Sequence, residues 1–159
     1  MSGAKGFLIA AVALWLGAVL QQSLGRYGIL NARPDYVLVM LSCICLYSSR
    51  AGGALAGFFA GLLSGAITGA NLTQYIFSRT VSGFLDAWAR KLGLDPNAVT
   101  AALNSFIMTV VAQLILMFFA PPSGIASFLG ATIGSAMVNG VLAIPVHALL
   151  RRILGPQGA

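Results

Sequence analysis

Formal charge is missing from most of this chain, and where it occurs it marks the ends of apolar runs. Phe7 to Leu24, Ala51 to Ser78 and Pro96 to Leu150 contain no Asp, Glu, Lys or Arg. A stretch of about 20 predominantly apolar residues matches the thickness of a bilayer core. Only 8% of the 159 residues are charged, against about 25% in a soluble domain. Such a chain cannot clothe a water-facing surface. The pattern predicts an all-α integral membrane protein, a single transmembrane domain over residues 1–159.

Six transmembrane helices are expected, over approximately 7–24, 35–48, 51–69, 72–89, 98–120 and 124–150. Pro34 and Asp35 read as a helix start, because proline fits a first turn and a carboxylate can cap free backbone N–H groups. Pro121 and Pro122 end the fifth span. The segment before Gln21 resembles a signal peptide but shows no clean cleavage site, so it reads as a retained first helix.

The net charge of +6 is spread along the chain. The basic residues form no dense patch, which argues against nucleic acid. With six spans both termini share one side, and Lys5, Arg50, Arg90, Lys91, Arg151 and Arg152 fall there, with Arg26 and Arg33 opposite. That bias places both termini in the cytoplasm. Cys43 and Cys45 stand two apart on a helix, point in different directions and read as small buried apolar residues.

An enzyme is not expected. One histidine, His147, and three acids, Asp35, Asp86 and Asp95, provide no metal cluster. No phosphate loop, dinucleotide fingerprint or nucleophile elbow appears.

"GALAGFFAGLLSGAITG" carries Gly53, Gly57, Gly61, Gly65 and Gly69 at a strict period of four. Each glycine costs about 1 kcal/mol in a water-exposed helix. In lipid, helices associate through close packing and shared polar groups, so small residues form a contact surface. A four-residue period drifts about 40° per step. The row therefore suits a right-handed crossing or two successive neighbours. Packing within the chain is expected, with a face for another protein's helix as the alternative. Helices one and six carry shorter small-residue pairs, Gly6 with Ala10, Ala13 with Gly17 and Gly130 with Gly134.

Two polar features stand out at membrane depth. Asn139 must face the bundle and bond another helix, and Ser105, Thr109 and Gln113 form one stripe on the fifth helix. Arg79 lies about two turns into the fourth helix, where charge is costly and commonly functional. Asp86, about 10 Å along the same helix, is too far away to pair with it. Arg79 is therefore expected to snorkel outward, to line a polar cavity or to meet a partner protein.

"LQQSLGRYGILNARPDYVLVM", "GGALAGFFAGLLSGAITGANL" and Asn139 with downstream Pro145 together resemble the rod shape-determining MreD family over nearly the whole chain. An acid often found after Gly-Leu-Leu in that family is replaced here by Ser64 and Gly65. The resemblance implies a non-enzymatic scaffold without a cofactor, located in the bacterial inner membrane. It would serve cell-shape maintenance and lateral peptidoglycan synthesis within the elongation complex. The implied partners are an MreC-like single-pass membrane protein, MreB, and the RodA–penicillin-binding-protein pair. The implied fold is that of the substrate-binding subunits of energy-coupling-factor transporters, and a vitamin-transport subunit is the alternative function. Partner binding or helix packing is assigned to Gly53, Gly57, Gly61, Gly65, Gly69, Pro34, Asp35, Arg79 and Asn139.

Overall fold

The computed structural model describes residues 4–25, 27–28, 32–89 and 95–154. The basic residues Arg26, Arg90 and Lys91 lie outside these described residues. Six helices follow one another: α1 (Ala4–Leu24), α2 (Tyr36–Cys45), α3 (Arg50–Thr68), α4 (Leu72–Ala89), α5 (Ala98–Phe119) and α6 (Ile125–Leu154). Four of them, α1, α3, α5 and α6, are long and apolar enough to cross a membrane.

Helix α2 departs most from expectation. It has ten residues, which span only about 15 Å at 1.5 Å per residue, about half of a bilayer core. Every residue from Val37 to Cys45 is buried. The helix touches α1, α3, α4, α5 and α6, so it forms the central post of the bundle. A helix apolar on all sides belongs in an interior, and this one is apolar or small throughout. The expected second span ran on to Ser48, but the chain leaves the helix in tight turns at Leu46 to Ser48. There Ser48 Oγ donates to the Ile44 carbonyl at 2.8 Å. Ser49 then caps α3 by accepting from the Gly52 N–H at 3.1 Å.

Helices α3 and α4 are joined by a short link and pack antiparallel along the glycine row. A Cβ on Gly61 would lie 2.5 Å from the Ile76 Cα and 2.7 Å from the Tyr75 carbonyl oxygen. A Cβ on Gly53 would strike the Gly83 carbonyl, one on Gly57 the Arg79 carbonyl, and one on Gly65 the Leu72 side chain. One neighbour, α4, thus provides the nearest contacts of four of the five glycines. Gly69 stands apart from this ridge. It caps α3 in the left-handed region at φ 63°, with nothing within 4 Å of a built Cβ. Its place follows from helix termination, since glycine adopts that conformation without steric cost.

Cys43 and Cys45 are free thiols buried on different sides of α2. Cys43 donates to the Ala143 carbonyl of α6 at 3.7 Å, and Cys45 to the Gly83 carbonyl of α4 at 3.6 Å. Lys5, Arg50, Arg151 and Arg152 occupy one end of the bundle, at the starts of α1 and α3 and the end of α6. The Arg50 guanidinium there lies 6.0 Å from the centre of the Trp88 ring.

Candidate functional site: a buried polar cluster at the start of α2

A helix half as long as the bilayer is thick brings its approach segment deep into the protein. Residues 33–35 have no regular structure, yet Pro34, like Ala32 before it, is buried. Irregular backbone at membrane depth is tolerated only where protein satisfies its polar groups. Helices α1 and α6 do so here. Gln21 of α1 accepts the Tyr36 N–H at Oε1 (2.8 Å) and donates from Nε2 to the Pro34 carbonyl at 3.3 Å. Ser135 and Asn139 of α6 accept the N–H groups of Arg33 at 3.2 Å and Asp35 at 2.9 Å. Asp35 caps the helix, its Oδ1 accepting from the Leu38 N–H at 2.9 Å. Its other oxygen, Oδ2, forms an ion pair with Arg79 Nη2 of α4 at 2.5 Å.

Asn139 links this entry to α5. Its Nδ2 donates to Thr109 Oγ1 at 3.0 Å, Thr109 donates to the Ser105 carbonyl at 2.7 Å, and Ser105 Oγ donates to the Asn139 carbonyl at 3.3 Å. The amide of Asn139, 0% exposed, is thus used at both ends. Gly134 sits beneath Ala32, where a Cβ would meet the alanine methyl at 3.1 Å.

Arg79 does not reach outward, and it pairs with Asp35 of the same chain. It is 1% exposed and neutralises Asp35 of the same chain. The physical reason is the capping carboxylate, which the short α2 places at the same depth as the second turn of α4. The Tyr75 ring, one turn back on α4, lies 5.9 Å from the guanidinium carbon. Asp86 makes a separate contact with Asn104 of α5, whose Nδ2 donates to Asp86 Oδ2 at 2.9 Å and to the Ser42 carbonyl at 3.2 Å.

The arrangement thus holds Pro34, Asp35, Arg79 and Asn139 together, while the glycine row lies along the α3–α4 contact and Gly69 at its end. Sequence reasoning overlooked Gln21, Ser135 and Asn104 as members of these networks. Their signal was an amide or hydroxyl inside an otherwise apolar helix. Chemically the cluster holds one carboxylate neutralised by one guanidinium, with amides and hydroxyls around them. Among the described residues no three His, Cys, Asp or Glu side chains gather as a metal site would require.

The family model for the rod shape-determining protein MreD matches residues 4–153, nearly the whole chain. The chain belongs to the MreD family. No curated protein and no solved structure gives a match, so the implied likeness to energy-coupling-factor transporter subunits has no solved structure behind it. MreD proteins are membrane proteins of bacterial rod-shape determination and are not known as enzymes. Membership therefore places this chain in shape determination at a membrane.

Proposed function

We propose that the protein is a non-enzymatic membrane scaffold of the elongation complex, binding an MreC-like single-pass protein and thereby helping to direct lateral peptidoglycan synthesis. The observation that carries this reading is the MreD family match across residues 4–153. The character of the polar cluster is consistent with it. The ion pair, the amides and the hydroxyls are engaged in holding α2 in place, which suits a rigid body whose work is done on its surface. Gly53, Gly57, Gly61 and Gly65 pack on α4 of the same chain, so a partner helix would dock on another face. MreB and the RodA–penicillin-binding-protein pair would join through the same complex.

The scaffold would sit in the inner membrane with both termini cytoplasmic, because Lys5, Arg50, Arg151 and Arg152 share one end and cytoplasmic ends collect basic residues. The experiment is affinity purification of the tagged full chain from native membranes, with the co-purified proteins identified by mass spectrometry. Recovery of an MreC-like single-pass protein, together with loss of rod shape on depletion, is the expected result. Depletion that leaves both rod shape and wall synthesis unchanged would overturn the reading.

A further inference from the structure

A groove of about 400 Å³ runs between α4 and α5, where Leu85, Asp86 and Trp88 face Thr100, Asn104 and Ile107. It follows α5 from Thr100 to Val111, about 16 Å at 1.5 Å per residue. Its banks, Leu85, Trp88, Leu103 and Ile107, are large apolar side chains exposed on the outside of the bundle. Two further grooves lie between α1 and α3, beside Phe7 and Phe59, and between α1 and α6, beside Leu8 and Leu149. No ionisable side chain lines either of them. Lipid tails fill such apolar surfaces as well as any side chain does.

The α4–α5 groove differs by its carboxylate. Asp86, Asn104 and Thr100 are each partly exposed, so a docked group can reach them. Asn104 Nδ2 donates to Asp86 Oδ2 at 2.9 Å, and the Cys45 thiol stands beside the same carboxylate. Neither brings a positive charge. The ion pair among the described residues joins Arg79 to Asp35, which leaves Asp86 without a cation there. An ionisable group inside a membrane protein is commonly paired with another, and a carboxylate offers about four acceptor sites.

Depth identifies what would complete the pair. Asp86 lies three residues before Ala89, the last of α4, so it is about 4.5 Å from that helix end. Trp88 beside it lies under the Arg50 guanidinium. The polar end of the groove is therefore the basic end of the bundle. A single-pass helix gathers its own Lys and Arg at the cytoplasmic boundary, the same depth.

We infer that the α4–α5 groove docks the transmembrane helix of a partner, with a Lys or Arg at its cytoplasmic boundary paired to Asp86. Apolar side chains of that helix pack along Leu103 and Ile107, and the charge pair fixes its depth. The inference rests on the scaffold reading and names the face on which the partner sits.

The test places a photo-reactive residue in the full chain in native membranes, at position 107 in the groove or at position 19, where Val19 is exposed on α1. Position 107, and not position 19, should cross-link to a single-pass protein with a basic residue at its cytoplasmic boundary. Asp86→Asn keeps an acceptor for Asn104 and should lower the cross-link and co-purification about tenfold, the loss of one hydrogen bond to a charged group. Asp86→Lys should abolish both, and Asp at the partner's basic position should restore them. Cross-links to that partner from position 19 alone overturn the inference and leave the scaffold reading standing; unchanged rod shape on depletion is the separate failure of that reading. Cross-links from position 107 to lipid alone, or to a second copy of this chain, also overturn it, as does an undiminished yield with Asp86→Asn. If the Asp86 variants fail to accumulate, Ile107→Trp fills the groove from its exposed bank, and undiminished co-purification by that variant overturns the inference.

Discussion

Replacing Arg79 by leucine isolates the contribution of the ion pair that anchors α2. Arg79 is 1% exposed and the Asp35 side chain 20%, so removing either partner strands a largely buried charge. Breaking a buried pair costs about 3–5 kcal/mol. Arg79→Leu belongs at the low end, about 3 kcal/mol, because Asp35 keeps some solvent contact and the Leu38 N–H. Asp35→Asn belongs at the high end, about 5 kcal/mol, because Nε and Nη1 of Arg79 have no other acceptor among the described residues. The double variant strands no charge, and asparagine can still cap α2. Its cost should fall to about 1 kcal/mol, since an apolar replacement of a buried pair is often near neutral.

The thiols of Cys43 and Cys45, both 0% exposed, provide the assay. A thiol-reactive fluorophore in detergent reports unfolding as they become accessible. At roughly 2–4 °C per kcal/mol for a chain of this size, Arg79→Leu should lower the midpoint by about 6–12 °C. Asp35→Asn should lower it further, and the double variant should recover most of the loss. Single-variant losses that simply add in the double variant would refute the coupling, as would an Arg79→Leu midpoint within about 2 °C of the native one.

Gly57→Leu and Gly61→Leu each drive a side chain into α4 backbone that cannot rotate away. Folded protein should be lost from membrane extracts, whereas Gly130→Leu, with open space at its Cβ, should accumulate normally. Gly69→Ala should lose only about 1–2 kcal/mol, the cost of a left-handed residue with a Cβ, and Gly69→Asn less, both measured by the thiol assay. Asn139→Leu orphans the Asp35 N–H, so its midpoint should fall by an amount equal to about 1–3 kcal/mol. In the native protein at low temperature neither cysteine should react, and both should label after heating.

The glycine period, the Pro34–Asp35 start and the inward-facing Asn139 were legible because each depends on local spacing and on the cost of bare polar groups in lipid. The partner of Arg79 was not. Asp35 lies 44 residues away, and nothing local to either position encodes the depth at which the two meet. That depth depends on where α2 begins and ends. Its apolar run continues through Leu46 and Tyr47 into the turn, so composition carries no mark of the helix end at Cys45. Counting spans by hydropathy treats every apolar run as lipid-facing, whereas α2 is apolar because protein surrounds it. Which of its two courses the glycine row takes, one crossing neighbour or two successive ones, was left open for a similar reason. The short link after Gly69 returns α4 along the row from Gly65 to Gly53, and the row's angular drift alone does not indicate that.

An intramembrane arginine is by default a functional residue, and the geometry here separates two ways in which it can matter to cell shape. If Arg79 served a partner directly, removing it would abolish that contact whatever happened at Asp35. If it serves to neutralise Asp35, the damage arises from the stranded carboxylate and disappears when the carboxylate does. Complementation of a depleted strain therefore distinguishes the two. Arg79→Leu alone should give rounded cells and reduced protein in the membrane fraction. Adding Asp35→Asn should restore both protein level and rod shape, because the α2 entry is again free of unpaired charge. Restored protein level with cells that remain round would place Arg79 in a contact with another protein, and would overturn the assignment of the pair to the interior of the bundle.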